Sequence, residues 1–349
     1  MLEVIFRCIT DEAFFKEVIL GFSNVALFIF IVLCIFVLSK GADWMIDGVI
    51  VLARKTGLPK IVIGATVISL GTTTPEMFVS VMAAWMGNPG LALGNGVGSI
   101  IADTGLIFGL TCLLTVTPIN RFILNRQGWI QVGSATLLVI ISLIALVKME
   151  GQPVLNRWVG FLFLFLLGCF LYASYYWAMK ATETDDQETC ESETFSLKRC
   201  WLMVIGGLSM VVVSAWMLVP CACEIAKRMG VPEDVIAATM VAFGTSLPEL
   251  ITAFAAVRKG HPEITIGNVV GADILNCLFV IGAAAATRPL YIPPNFFKFH
   301  FPAMIIILYS FRIFIFINRD DRFRRWQGGW LFGIYLVYII LQYSLNIGE

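Results

Sequence analysis

Two short segments place a proline and a glutamate inside long apolar runs. The first reads Gly-Thr-Thr-Thr-Pro-Glu at 71–76, and the second reads Gly-Thr-Ser-Leu-Pro-Glu at 244–249. A proline inside a helix removes one backbone donor, so a carbonyl one turn earlier loses its partner. In lipid that carbonyl must face a ligand or a cavity, and an ionised glutamate there is costly unless a counter-charge compensates it. Each segment therefore predicts half of a cation site.

The oxygen atoms of the first segment suit a hard cation. Carbonyls near Ser69, hydroxyls of Thr72, Thr73 and Thr74, and the carboxylate of Glu76 are available. With the same set from the second segment they match Ca²⁺, which takes 6–8 oxygen ligands. The lack of soft ligands argues against zinc or copper. A lone proline in a membrane helix commonly produces only a kink, but two matched Pro-Glu segments favour an ion site.

The apolar run after each segment supplies further polar side chains. Ser99 and Asp103 are four residues apart, so they share one face of a helix. Asn276 occupies the position in the second half that Asp103 has in the first, and both are expected to face the centre. Asp273 lies three residues before Asn276. It either joins this group or supports it through a helix contact, and both alternatives stay open.

Two more acids, Asp43 and Asp47, lie in the first apolar run. A role in an ion pathway or a gate is one alternative. Pairing with Lys40 or with the ends of neighbouring helices is the favoured one.

The chain contains an internal duplication. Glu249 lies 173 residues after Glu76, and the same spacing relates many other residues without a gap. The matched pairs include Gly57 and Gly230, Pro59 and Pro232, Gly87 and Gly260, Asn95 and Asn268, and Gly98 and Gly271. Self-similarity at one fixed offset indicates a repeated structural unit.

Composition and segment lengths predict an all-α integral membrane protein. Of 349 residues, 58% are hydrophobic and 14% are charged, and a spanning helix needs about 20 apolar residues. About ten such segments are present. They begin and end near 24–53, 60–86, 91–116, 127–147, 155–179, 200–227, 233–257, 263–286, 299–317 and 328–346.

An odd number of spans in each half makes the second half enter the membrane from the opposite side. We therefore expect two inverted five-helix repeats, with the Pro-broken helices meeting at the midplane. The expected domains are an amphipathic lead-in at 1–23, a first repeat at 24–179, an acidic linker at 180–199 and a second repeat at 200–349.

Loop charges predict the orientation. More Lys and Arg residues fall on the side that holds Arg54, Lys55, Arg258 and Lys259 than on the other. The richer side is expected to be cytoplasmic. The protein is then expected in the cell (inner) membrane, with both termini outside and the 180–199 linker in the cytoplasm.

A net charge of zero gives no indication of nucleic-acid binding. The lipid bilayer is the expected partner, and no protein partner or cofactor is predicted.

These motifs resemble the calcium/cation antiporter superfamily, and within it the prokaryotic sodium/calcium exchanger branch. The resemblance covers essentially the whole chain and is most specific at 57–106 and 230–280. It implies ten helices in two inverted five-helix repeats. It also implies an antiporter that exchanges Ca²⁺ for Na⁺ by alternating access, both ions being transported rather than held as cofactors.

The resemblance also implies the ligand set. The calcium site would use Glu76 and Glu249 with the carbonyls of Thr72 and Thr245. The flanking sodium sites would add backbone carbonyls of Ser69 and Ala242 and the side chains of Thr73, Ser99 and Ser246. Asp103 and Asn276 fall on the central acid and amide pair of the family.

This chain departs from the family pattern at three positions. The central acid is Asp103 in the first repeat, whereas it commonly lies in the second. Thr73 replaces the usual serine, and Ala272 stands where the first repeat has the hydroxyl of Ser99. The last change predicts a weakened sodium site and leaves the ion stoichiometry open.

Four other functions compete with this interpretation. A proton/calcium antiporter would carry an acid where Gly98 and Gly271 stand, and a potassium-dependent sodium/calcium exchanger carries its central acid in the second repeat. A cation channel does not need paired broken helices around one closed site. An enzyme would need a nucleophile with a base, or a metal motif, and the chain has neither H-E-x-x-H nor Gly-x-Ser-x-Gly.

Overall fold

The computed structural model describes residues 18–148, 153–182, 196–230, 246–318 and 320–344. Most of the predicted lead-in and most of the predicted 180–199 linker lie outside these ranges. The helices, numbered in chain order, are α1 Asn24–Thr56, α2 Lys60–Trp85, α3 Pro89–Leu114, α4 Arg121–Lys148, α5 Arg157–Thr182, α6 Leu197–Arg228, α7 Leu247–Arg258, α8 Pro262–Thr287, α9 Phe296–Ile317 and α10 Arg325–Ser344.

Helix ends recur at the 173-residue spacing. Ser23 caps α1 and Ser196 caps α6, each side-chain oxygen accepting from a backbone N–H three residues later at 3.2 Å and 3.3 Å. Gly57 and Gly230 follow these two helices with φ of 69° and 81°, a left-handed conformation that glycine adopts without strain. The local rules that start and stop helices therefore act alike in both halves.

The exterior of the molecule is apolar. Eight helices in the described chain, all but α7 and α10, are long and apolar enough to cross a membrane. Large hydrophobic side chains such as Phe28, Val147, Phe165 and Phe316 are more than half exposed. Soluble monomers rarely expose apolar surface on this scale, so the surface is that of a protein with lipid as its solvent.

The interior carries the polar residues. The acids Glu76, Asp103, Glu249 and Asp273 are all at most 2% exposed, although they lie inside apolar helices. The largest apolar core surrounds them and is formed mainly by α3, α4, α8 and α9. The sequence therefore places its buried polar groups where the helices meet.

Two helices widen at matching positions. The segment Asp103–Phe108 of α3 and the segment Asn276–Ile281 of α8 are π-helical. Both begin at residues 173 apart, and π-helical turns inside α-helices frequently occur at functional sites.

Four two-residue strands join the halves at their loops. They are β1 Thr117–Pro118, β2 Val154–Leu155, β3 Leu290–Tyr291 and β4 Arg322–Phe323. β1 pairs antiparallel with β4, and β2 pairs antiparallel with β3. Each pair thus links the loop after the third helix of one half to the loop after the fourth helix of the other.

Glycines allow equivalent close approaches in the two halves. A Cβ added to Gly160 of α5 would lie 2.2 Å from the backbone nitrogen of Ala286 in α8. A Cβ added to Gly328 of α10 would lie 2.6 Å from the carbonyl of Gly109 in α3. α1 and α6 also cross closely, because a Cβ on Gly207 would lie 2.5 Å from the Gly41 carbonyl.

The structure corrects the expected boundaries at several points. α4 begins at Arg121, six residues before the apolar segment predicted at 127, and α6, α9 and α10 each begin three residues early. Hydropathy marks only the part of a helix suited to hydrocarbon, while polar first turns continue into the interface. The paired strands were not expected. The count of ten spans and their inverted arrangement stay predictions.

Candidate functional site

Glu76 lies in the middle of α2, directly after Pro75. Proline at 75 leaves the carbonyl four residues earlier without its helical donor. The Glu76 side chain is 1% exposed, and its Oε2 has no hydrogen-bond partner in the described chain. Its backbone carbonyl accepts from Asn95 Nδ2 of α3 at 3.0 Å, so α3 holds the helix at the glutamate.

Glu249 occupies the first turn of α7, two residues after the described helix begins. The side chain is 2% exposed, and its Oε2 also lacks a partner among the described residues. Its backbone carbonyl accepts from Thr252 Oγ1 at 2.9 Å, and Thr252 in turn accepts from Asn268 of α8 at 3.4 Å. The second half therefore supports its glutamate through the equivalent asparagine.

Asp103 and Asn276 meet at the centre. Asn276 Nδ2 donates to Asp103 Oδ2 at 3.3 Å, and both residues are 1% exposed. Each stands at the first position of a π-helical segment. The structure thus brings together the acid and the amide that the repeat made equivalent.

The two signature segments face each other across this centre. The Thr72 hydroxyl of α2 donates to the Ile68 carbonyl of its own helix at 3.2 Å and lies near the Glu249 carboxylate. Glu249 is also close enough to Glu76 and to Asp103 for their negative charges to repel. Three carboxylates, one hydroxyl and one amide therefore share a buried region.

The remaining predicted residues divide into three groups. Ser69, Thr73, Ser99 and Ser246 are buried at 4% exposure or less, and the hydroxyls of Thr73 and Ser246 have no partner in the described ranges. Thr74 does not belong with them, because its half-buried hydroxyl donates to the Leu70 carbonyl of its own helix at 2.6 Å. Ala242 and Thr245 lie outside the described residues.

The buried region is rich in unpaired acceptor oxygens. Within the described chain, none of its acids forms an ion pair with Lys, Arg or His. No group of three His, Cys, Asp or Glu side chains there converges closely enough to hold a metal alone. Unpaired buried acceptors are expensive, and a cation satisfies them. The chemistry that fits is a mixed site of carboxylate, hydroxyl and carbonyl oxygens. Its acceptors without a hydrogen-bond partner are Thr73 Oγ1, Glu76 Oε2, Asp103 Oδ1, Ser246 Oγ, Glu249 Oε2 and Asn276 Oδ1.

Asp43 and Asp47 lie away from this region. Asp43 pairs with Arg258 and Asp47 with Lys259, at the end of α7 and just beyond it. Pairing with a neighbouring helix end was the favoured alternative, and it is confirmed, although the partner is not Lys40. Asp273 accepts hydrogen bonds from Thr104 and Gln131 rather than from the central group.

Sequence reasoning missed the residues that support the site. No role was expected for Asn95, Asn268, Thr252, Thr104 or Gln131. The match of Asn95 with Asn268 at the 173-residue spacing carried the signal for the two asparagines. Nothing in the sequence pattern singles out Thr104 or Gln131.

Comparison with known proteins shows which family has this arrangement. The profile of the family described as sodium/calcium exchanger protein matches residues 26–176 and 199–344. The chain belongs to this family. The resemblance to the calcium/cation antiporter superfamily and its prokaryotic branch is thereby confirmed.

Relatives match along nearly their whole length. The uncharacterised membrane protein MJ0091 of Methanocaldococcus jannaschii is 30% identical, over 91% of this chain and 98% of its own. The sodium/calcium exchanger MaX1 of Methanosarcina acetivorans is 28% identical, over 91% and 99%. A structure of the sodium-calcium exchanger NCX_Mj, soaked with Na⁺ and Sr²⁺, is 25% identical with a TM-score of 0.77, over 91% and 99%. The chain is thus a multi-pass membrane protein, and two of these three matches are named sodium/calcium exchangers.

Proposed function

We propose that this protein is a secondary active antiporter that exchanges Ca²⁺ for Na⁺ across the membrane. The observation that carries the proposal is the pair Glu76 and Glu249. They come from matching positions of the two halves, and their side chains are at most 2% exposed. Each keeps one carboxylate oxygen without a partner among the described residues. Two such charges in a dry interior are costly, and bound cations would compensate them.

The proposed Ca²⁺ ligands are these two carboxylates with the carbonyls of Thr72 and Thr245. The proposed Na⁺ sites share the glutamates and add oxygens from both signature segments and from α3. Buried hydroxyls at Thr73 and Ser246 without partners in the described chain support this assignment. The added Na⁺ ligands are Ser69, Thr73, Ser99, Ala242 and Ser246, with Asp103 and Asn276 as the central pair.

Shared ligands make the exchange obligatory. Ca²⁺ and Na⁺ compete for the same carboxylates, so binding of one displaces the other. With no ion bound, Glu76, Glu249 and Asp103 repel one another in a medium of low dielectric constant. That empty state is slow to reorient, which prevents an uncoupled leak of either ion.

We propose that α1 and α6 move together across the remaining helices to alternate access. These two helices pack mainly on each other, and their backbones touch at Gly41 and Gly207. The ten helices would form two inverted five-helix repeats around the site. The recurrence of helix ends, π-helical segments and strand pairs at matching positions supports this architecture.

The proposed membrane is the cell (inner) membrane, with both termini outside and the 180–199 linker in the cytoplasm. Loop charges support that orientation. A second candidate is potassium-dependent exchange. It is favoured by a short match to the human sodium/potassium/calcium exchanger 2, which is 36% identical over 83 residues, 24% of this chain and 13% of its own length. A proton/calcium antiporter and a cation channel are the remaining alternatives.

Transport by the purified protein in liposomes tests the proposal. We would load vesicles with Na⁺, dilute them into Na⁺-free medium containing ⁴⁵Ca²⁺, and repeat the assay with a pH gradient and with K⁺ added. The expected result is uptake that requires internal Na⁺ and is absent in Glu249→Gln. Uptake driven only by the pH gradient would move the function to proton/calcium exchange, and uptake without any counter-ion would indicate a channel.

A further inference from the structure

Asp273 lies on α8 and is 2% exposed. Its Oδ2 accepts two hydrogen bonds, one from the Thr104 hydroxyl of α3 and one from Gln131 Nε2 of α4 at 2.5 Å. Its Oδ1 has no partner in the described part of the chain. Three helices therefore converge on one carboxylate and leave one of its oxygens unsatisfied.

The surroundings of Asp273 contain more free acceptors and no compensating charge. Gln131 Oε1 lacks a partner among the described residues, and so does Asp103 Oδ1. Asp103 directly precedes Thr104, whose hydroxyl donates to Asp273, so the two acids lie close enough for their charges to repel. Neither acid forms an ion pair in the ranges that the structure describes. Buried acids that repel one another are stabilised by a shared cation.

The cluster has no counterpart in the other half. At the 173-residue spacing, Asp273 corresponds to Ile100, Thr104 to Cys277 and Gln131 to Met304. All three equivalents are buried in the apolar core, and none of them carries a carboxylate, a hydroxyl or an amide. The cluster is therefore a one-sided addition to the proposed Ca²⁺ and Na⁺ ligands.

We propose that Asp273, Gln131 and Asp103 bind one monovalent alkali cation, separate from the ions held by Glu76 and Glu249. The free oxygens are Asp273 Oδ1, Gln131 Oε1 and Asp103 Oδ1. In each acid the other carboxylate oxygen already accepts hydrogen bonds, so the cluster lacks the bidentate carboxylate on which tight Ca²⁺ sites such as the EF-hand rely. Thr104 positions Asp273 by donating to its other oxygen. The inference deepens the proposed exchange, on which it rests for the role of Asp103.

Equilibrium binding to the purified full-length protein tests the site. We would measure ²²Na⁺ and, in a parallel experiment, ⁸⁶Rb⁺ as a K⁺ probe, both in Ca²⁺-free medium, and ⁴⁵Ca²⁺ in Na⁺-free medium. Asp273→Asn keeps the shape of the side chain and removes its charge. Asp320→Asn, at an exposed acid, is the matched control. Gln131→Met removes the amide oxygen while keeping Asp273 charged.

Asp273→Asn is expected to bind one monovalent ion fewer at saturation than the wild type, with one of the two isotopes. Gln131→Met is expected to weaken that same site about tenfold, or ~1.4 kcal/mol. The Ca²⁺ affinity should be retained in both variants. Equal monovalent binding in wild type, Asp273→Asn and Gln131→Met would overturn the site. Failure of the wild type to bind ⁴⁵Ca²⁺ would instead contradict the proposed exchange. The two failures can be told apart, because binding of ²²Na⁺ and ⁸⁶Rb⁺ by wild type and Asp273→Asn is compared in the absence of Ca²⁺.

Discussion

The two halves of the chain match in their backbones and differ in their charged side chains. Helix caps, left-handed glycines and π-helical segments recur 173 residues apart, and the glutamates Glu76 and Glu249 recur with them. Asp103 faces Asn276 rather than a second acid. Asp43, Asp47 and Asp273 correspond to Trp216, Pro220 and Ile100.

The repeated backbone and the unmatched acids therefore contribute different properties to the protein. The duplicated backbone brings two equivalent glutamates to one buried centre, between the two halves. The unmatched acids then determine how many further charges the interior holds and which side is fastened by ion pairs. The duplication thus accounts for the position of the two glutamates, and the acids without a counterpart account for the differences between the two halves.

The matched glutamates should be equally indispensable. Under the proposed exchange, Glu76→Gln and Glu249→Gln each remove one of the two charges that would hold Ca²⁺, and each is expected to lower Na⁺-driven ⁴⁵Ca²⁺ uptake by at least ~100-fold, about 2.7 kcal/mol. Asp320→Asn, at an exposed acid, should leave uptake unchanged. Uptake that survives in one glutamine variant but not in the other would show that the halves are not equivalent at the site.

The matched glycine contacts should be equally sensitive to a methyl group. Gly160→Ala would place a carbon 2.2 Å from a backbone nitrogen, and Gly328→Ala would place one 2.6 Å from a backbone carbonyl. Each is expected to cost about 1–3 kcal/mol of stability, measured as a lower thermal unfolding temperature in detergent. Gly168→Ala, with nothing within 4 Å of the added carbon in the described structure, is the control. Equal unfolding temperatures for all three would contradict the packing.

The central pair should tolerate exchange of its members better than loss of its charge. Asp103→Asn removes the acid and is expected to slow Na⁺-driven Ca²⁺ uptake about tenfold, or ~1.4 kcal/mol. Combining it with Asn276→Asp returns the charge across a 3.3 Å contact, so most of the uptake rate should recover. A double variant as slow as the single one would mean that the side on which the acid lies matters more than the charge.

The ion pairs of α1 should have the smallest effect. Asp43–Arg258 and Asp47–Lys259 tie α1 to the end of α7. Their side chains are partly exposed, and such pairs typically contribute about 0.5 kcal/mol each, or about 1 kcal/mol together. Arg258→Gln with Lys259→Gln should therefore change the Ca²⁺ exchange rate by less than about fivefold, with faster opening on that side. Labelling of a cysteine introduced into α1 would report the opening, and loss of all transport would contradict a fastening role.

The sequence predicts features that recur between the two halves and features that depend only on neighbouring residues. The caps, the proline-glutamate segments and the equivalence of Asp103 and Asn276 follow from residue types and one fixed spacing. The pairing of strands from one half with strands from the other does not follow from the sequence, because it depends on how distant loops meet. The partners of Asp273 were equally out of reach, since Thr104 and Gln131 come from two other helices and carry no motif.

Competition between Ca²⁺ and Na⁺ shows whether both ions use the carboxylates of Glu76 and Glu249. We would measure ⁴⁵Ca²⁺ binding to the purified protein while raising the Na⁺ concentration, with choline replacing Na⁺ to hold the ionic strength constant. Na⁺ is expected to displace all bound Ca²⁺, and neither Glu76→Gln nor Glu249→Gln should bind Ca²⁺ measurably. Ca²⁺ that remains bound at saturating Na⁺ would contradict a shared site.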